Sequence, residues 1–243
     1  MELRLIHFYP DLMSLYGSYA NLSVLKRYLE SIGHTVRVDT VLPSQPADLS
    51  DAAFLYMGAG TERSQKAALA DFTNYGDTIR QLAADGLPML FAGTAMELLG
   101  STITANDGTI YNGIGLADFT AAQESRRIVG DVYGHTDLFD APVVGFMNKC
   151  TVITGIQTPL LTDCKLGFGN EQTHGPEGFH QNNVFGSELT GPLLVKNPRL
   201  LDAVADAVCR HSGAEVPETR PQFPYAEQGY AITAEQLKLR CQN

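Results

Sequence analysis

No stretch of the chain carries the roughly 20 consecutive apolar residues that a helix needs to cross a bilayer. Met1 to Pro10 likewise has neither a basic opening nor the apolar run of a signal peptide. The sequence therefore predicts no membrane insertion and a cytoplasmic location. Positive charge is scarce: 17 Lys and Arg stand against 27 Asp and Glu, a formal net charge of −10. Phosphate backbones are bound by clustered cations, so nucleic acid is excluded as a partner and acidic membrane surfaces are disfavoured. Cysteine is limited to Cys150, Cys164, Cys209 and Cys241. These are too widely spaced for a zinc or C-x-x-C redox signature and too few for a disulfide framework in a chain of 243 residues. Reduced, mostly buried thiols are expected, with no metal site and no cofactor. Internal repeats and low-complexity tracts are absent as well.

What is present is an ordinary globular composition, 44% apolar and 18% charged. Leu3 to Tyr9 is an apolar run. After a Pro10-bearing loop, Leu22, Leu25, Tyr28, Leu29 and Ile32 recur at helical spacing over Asn21 to Ser31, and Gly33 ends the helix. Thr35 to Val41 alternates as a strand does, and Ala53 to Met57 is a further apolar run that stops at Gly58-Ala59-Gly60. Alternating β, α and β segments predict an α/β fold: an open, mostly parallel, flavodoxin-like sheet between two helical layers.

Ser64 to Asp85 reads as one long helix or two short ones, and Leu87 to Ala92 as a central strand buried on both faces. That strand runs into Gly93-Thr94-Ala95 and a short helix, Met96 to Leu99, which makes an elbow at the carboxyl end of a strand, where open α/β sheets hold ligands. Between Ser101 and Phe185 the pattern becomes short β-like pieces: Ile110 to Ile114, Arg127 to Tyr133, Val143 to Phe146 and Thr151 to Ile153. These predict an antiparallel extension of the sheet. Asn197 to Ser212 is again helical. Residues 1–212 are thus read as one domain, and residues 213–243, with Pro217, Pro221 and Pro224, as a tail with a short helix over Thr233 to Arg240 that wraps the domain or meets a partner.

His7-Phe8-Tyr9-Pro10-Asp11-Leu12-Met13, Leu15-Tyr16-Gly17 and Asn21 resemble the start of the CobB/CobQ-like class I glutamine amidotransferases. Gly113-Ile114-Gly115-Leu116, Arg127-Ile128-Val129-Gly130-Asp131, Gly167-Phe168-Gly169-Asn170, Glu177-Gly178 and Phe185-Gly186 through Gly191-Pro192-Leu193-Leu194 follow in the family's order. Within the family the likeness is greatest to the glutaminase subunits of lipid II isoglutaminyl synthases, which work with a Mur-ligase-like, ATP-dependent partner in cell-wall amidation. The resemblance implies a Cys nucleophile at the elbow, a His general base, backbone N–H groups that bind an oxyanion and an Arg that takes the substrate carboxylate. Here the elbow reads Gly93-Thr94-Ala95-Met96-Glu97 in place of the family's Cys-Gly-Gly-Tyr-Gln, and Leu189-Thr190-Gly191-Pro192 stands in place of Leu-His-Gly-Pro. Nucleophile and base are both missing. Glycine suits such an elbow, since it adopts without penalty a backbone conformation that costs other residues about 1–3 kcal/mol.

The remaining candidates each have two readings. Arg127 matches the carboxylate-binding arginine or makes a surface ion pair. Gly58, Ala59 and Gly60 match the oxyanion loop or form a tight turn, with Thr61 and Glu62 departing from the family's Gln-Asp. Thr94 has a hydroxyl but no evident base. Glu97 faces a polar pocket or, the preferred reading, is a solvated helix residue. His174 and His180, in the loop before Phe185, are the best substitutes for the base by position or, the preferred reading, solvated loop histidines. Three functions follow: a non-catalytic, amidotransferase-like subunit that binds or regulates a Mur-ligase-like partner; an active amidotransferase using an unrecognised group; and a stand-alone module that binds an amino acid or peptide carboxylate near Arg127.

Overall fold

A computed structural model describes residues 1–242. In chain order its elements are β1 (Glu2–Phe8), α1 (Ala20–Ser31), β2 (Thr35–Val41), β3 (Phe54–Met57), α2 (Glu62–Phe72), α3 (Gly76–Ala84) and β4 (Met89–Ala92). Then come β5 (Thr102–Thr104), β6 (Ile110–Asn112), β7 (Thr120–Thr136), β8 (Phe139–Thr154), β9 (Asp163–Leu166), β10 (Phe179–Gln181), β11 (Val184–Ser187) and β12 (Leu189–Thr190). The last helices are α4 (Leu193–Lys196), α5 (Pro198–His211) and α6 (Pro224–Arg240).

The first sheet has the order β10-β11-β4-β3-β1-β2, parallel except for β10. Period-two alternation sends Leu3 and Leu5 of β1 to one face and Ile6 and Phe8 to the other. The first pair packs with Leu22, Leu25 and Leu29 of α1 and Leu200, Val204 and Val208 of α5. The second pair packs with Leu69 and Phe72 of α2 and Ile79 of α3. These two cores define a three-layer α/β structure. The predicted stretch Ser64 to Asp85 is two helices, α2 and α3, joined by a 3-10 turn at Thr73–Tyr75.

The expected antiparallel extension is instead an edge strand and a separate, mixed sheet, in which β5 pairs with β7 in parallel. β10 borders the first sheet, and β12-β8-β7-β5-β6 hydrogen-bond into a second sheet, with β9 also paired to β7. β7 and β8 are long, so the pieces read separately at Arg127 to Tyr133, Val143 to Phe146 and Thr151 to Ile153 belong to one hairpin. The hairpin packs Val132, Val143 and Met147 into the α5 side of the core, which docks the second sheet against the first domain layer. Helix α6 is longer than the expected Thr233 to Arg240. It rests on this hairpin and on β9 through Tyr230, Ala234 and Leu237, which meet Tyr133, Val144 and Leu166. Among the described residues no helix is long and apolar enough to cross a membrane. Cys150, Cys164 and Cys209 are buried free thiols, and Cys241 is half-buried.

Candidate functional site

In a β2-β1-β3-β4 order the chain leaves β1 first to one side and then to the other, and ligands of such sheets sit beyond the carboxyl ends of the strands. The loops after β1, β3, β4 and β11 meet at that end, and the β7–β8 hairpin supplies a wall. At the carboxyl end of β4 the chain turns at Gly93, whose φ is +61°, in the left-handed region that only glycine enters without strain. A Cβ at this position would lie 2.6 Å from the Cβ of Ala59. The Ala59 methyl therefore fills the space in front of the elbow.

Ala59 is fixed from both sides. Its N–H donates to Ser18 Oγ at 3.1 Å, and its carbonyl accepts from the Leu15 N–H at 2.8 Å. The Gly60 N–H donates to Thr94 Oγ1 at 3.0 Å, and the same hydroxyl donates back to the Gly60 carbonyl at 3.1 Å. Gly58 lies so close to the loop after β1 that an added Cβ would come within 2.2 Å of Ser18 Oγ. The N–H groups of Ala59 and Gly60 thus already hold side chains of this chain.

β11 runs parallel to β4 with Ser187 beside Ala92, so the segment leading to Thr190 leaves the sheet at the same end as Gly93. Thr190 is buried, and its hydroxyl donates to the Phe146 carbonyl at 2.9 Å. Thr94 and Thr190 both use their hydroxyls on backbone groups rather than on a base. His174 is exposed and stacks on Phe168. His180 is not a loop residue: it lies in β10, half-buried and stacked on Phe185 at 4.8 Å, and burial lowers its pKa.

Arg127 stands on an irregularity of the hairpin. Register passes from Gln123 opposite Thr151 to Ile128 opposite Lys149, so Glu124 to Arg127 face Cys150 alone. From this bulge Arg127 Nη2 bonds the Glu62 carboxylate, and Nη1 donates to Asn148 Oδ1 at 3.1 Å. The Asn148 side-chain amide in turn donates to the Tyr16 hydroxyl at 2.8 Å. Cys150 Sγ lies 3.4 Å from Glu62 Oε1 and 3.7 Å from Arg127 Nη2. Burial, reinforced by Glu62, pushes the Cys150 thiol up to about 11 and keeps it protonated near neutrality.

Glu97 corrects the sequence reading. It is 1% exposed rather than solvated, because the short 3-10 segment after the elbow turns it inward against the hairpin. Gln65 Nε2 donates to Glu97 Oε2 at 2.7 Å and to the Thr94 carbonyl at 2.8 Å, and Thr151 Oγ1 donates to Glu97 Oε1 at 3.0 Å. Burial and the nearby Glu188 push the Glu97 carboxyl up to about 8, against the opposing pull of Gln65, Thr151 and Lys149. Beside it, buried Lys149 pairs with buried Glu188 and donates to the Asn170 carbonyl at 3.0 Å. Glu177 is also fully buried, accepts from Ser187 Oγ and the Glu188 N–H, and is raised to about 7, chiefly by burial. Lys149 is the cation that pairs with this group of carboxyls, through Glu188.

Residues 4–198 match the CobB/CobQ-like glutamine amidotransferase domain. The chain belongs to this family. It is 27% identical over 216 residues to a Staphylococcus aureus protein named lipid II isoglutaminyl synthase (glutamine-hydrolyzing) subunit GatD, covering 87% of this chain and 86% of that one. The like-named subunit of Streptococcus pneumoniae is 30% identical over 203 residues, covering 82% and 77%. Two glutamine amidotransferase crystal structures share the fold. One gives a TM-score of 0.53 at 15% identity over 86% of this chain and 99% of the other. The second, from Thermotoga maritima, gives 0.50 at 10% identity over 97% and 95%.

In this CobB/CobQ-like member, the structure brings Gly58, Ala59, Gly60, Gly93 and Thr94 into direct contact. Glu97 lies beneath them, and Arg127 is joined to them through Glu62 at the start of α2. Sequence reasoning passed over Gln65, Asn148, Lys149, Thr151 and Glu188; Tyr16 and Glu177 figured there only inside family-like segments, and Cys150 only as a buried thiol. The one available signal was Asn148-Lys149-Cys150-Thr151, a polar interruption of an otherwise apolar strand.

Proposed function

We propose that this chain is a non-catalytic amidotransferase-like subunit, which binds or regulates a Mur-ligase-like, ATP-dependent partner in the amidation of a lipid II-type precursor. The observation that carries the reading is the elbow. Gly93 offers no nucleophile, and the Ala59 methyl sits where the Cβ of one would go. The internal bonding of the Ala59 and Gly60 N–H groups supports it, because an oxyanion needs free donors at 2.7–3.1 Å. Cys150, the thiol near the site, is a poor substitute nucleophile in its protonated state. A partner is supported by the relatives, both of which are named as subunits.

The test is glutamate release from glutamine by the purified chain. No turnover is expected. The variant Gly93→Cys/Thr190→His should also be silent, since Cys would collide with Ala59 and the Ala59 and Gly60 N–H groups stay bonded to Ser18 and Thr94. Glutamate release by the natural chain would overturn the proposal.

A further inference from the structure

Arg127 and Glu62 form the most solvent-accessible charged pair at the site, with side chains 43% and 33% exposed. A guanidinium recognises a carboxylate through two parallel N–H donors. In this chain neither end is vacant: Nη2 is on Glu62 and Nη1 on Asn148 Oδ1. The arrangement is braced from several elements. Tyr16, in the loop after β1, holds Asn148, and the Cys150 thiol on β8 leans on the same Glu62 oxygen that Arg127 binds. We infer that Glu62 is an internal ligand of Arg127, so that the guanidinium accepts the carboxylate of an amino-acid-like ligand only when Glu62 moves aside.

Glu62 has somewhere to go. It is the first residue of α2, whose N-cap Thr61 accepts from the Ser64 N–H at 3.1 Å. A carboxylate in the first turn is stabilised by the unpaired N–H groups and the dipole of the helix. Burial pushes the Glu62 carboxyl up, yet its own backbone N–H, Arg127 and Cys150 together hold it below the ordinary value while it is paired. Exposed ion pairs are weak. A ligand carboxylate therefore competes with Glu62 on modest terms, and affinity at Arg127 is set by how firmly Glu62 is held.

The experiment is calorimetric titration of L-glutamate into the full chain, Glu62→Gln, Glu62→Ala and Glu62→Gln/Arg127→Gln, with thermal unfolding run on each to verify folding. Both single variants should bind about fivefold more tightly than the natural chain, or better, and the double variant should lose the gain. Equal affinity in the natural chain and both single variants would overturn the inference. So would a gain that survives loss of Arg127, or absence of binding in every variant. The titration contains no turnover step. Glutamate release by the natural chain would overturn the proposed function without bearing on Glu62, and equal titrations would overturn the role of Glu62 while a silent glutaminase assay stands.

Discussion

The contact between Gly93 and Ala59 fixes what each residue can become. Gly93→Ala places a methyl at φ +61° and 2.6 Å from another methyl. Backbone strain and overpacking, about 1–3 kcal/mol each, should both appear as lost stability in urea unfolding. In an Ala59→Gly background only the strain remains, so the same substitution should cost less; identical costs in the two backgrounds would deny the contact. At this scale the sequence was informative wherever a residue sat in a matched frame: Gly93 and Thr190 were found as departures from a pattern. It was silent about partners. Glu97 read as a solvated helix residue because nothing local reveals that Thr151, far along the chain, closes over it. Glu62 registered only as a mismatch, and its ion pair with Arg127 spans a sequence gap that no spacing rule covers.

Among the elements, the parallel strands were legible because burial on both faces leaves near-continuous apolar runs such as Met89 to Ala92. The β7–β8 hairpin was read in pieces because Gly130, Gly134, Pro142 and Gly145 interrupt its alternation, and its bulge shifts which residues face inward. Helix α6 was found too short for a related reason. Leu237 is the one residue of α6 that is fully buried, so no apolar stripe marks its beginning, and Pro224 at its first turn gives the only start signal. A helix with so little buried side-chain surface should open locally before the domain unfolds. Leu237→Ala, a large-to-small change of the kind that costs about 2–5 kcal/mol in a core, should raise amide exchange within α6 while β7 and β8 stay protected. Equal loss of protection in the hairpin would mean that α6 and the hairpin unfold as one unit.

Across the whole molecule, the buried polar group spans both sheets. Lys149 belongs to β8 of the second sheet, whereas Glu188 follows β11 of the first, and Glu97 follows β4. Glu97 near 8 and Glu177 near 7 both lie above the ordinary carboxyl value of 4.5. Between those limits the folded chain keeps protons that the unfolded chain has released, so the contribution of these two groups to stability is fully present below about pH 4.5 and is lost as pH rises through 7 and 8. The thermal midpoint should therefore drop between about pH 5 and about pH 9, and Glu97→Gln, which mimics the protonated acid, should flatten the upper part of that decline. Parallel slopes for the two proteins would place the titration elsewhere. The joining of two sheets through such a group was not legible beforehand, since its members come from four separated segments and are individually ordinary surface residue types.

The same topology sets an order of assembly. β4 is completed when Ala92 is made, but its outer neighbour β11 arrives only with Val184 to Ser187. At ribosomal speeds the delay is on the order of 10 s. Throughout it the nascent chain presents the apolar strand Met89-Leu90-Phe91-Ala92 with one edge unpaired, a template for misjoining with other chains. Synthesis of this protein thus has a vulnerable interval that ends with the segment carrying Thr190, and a chaperone that shields that edge would matter most during it.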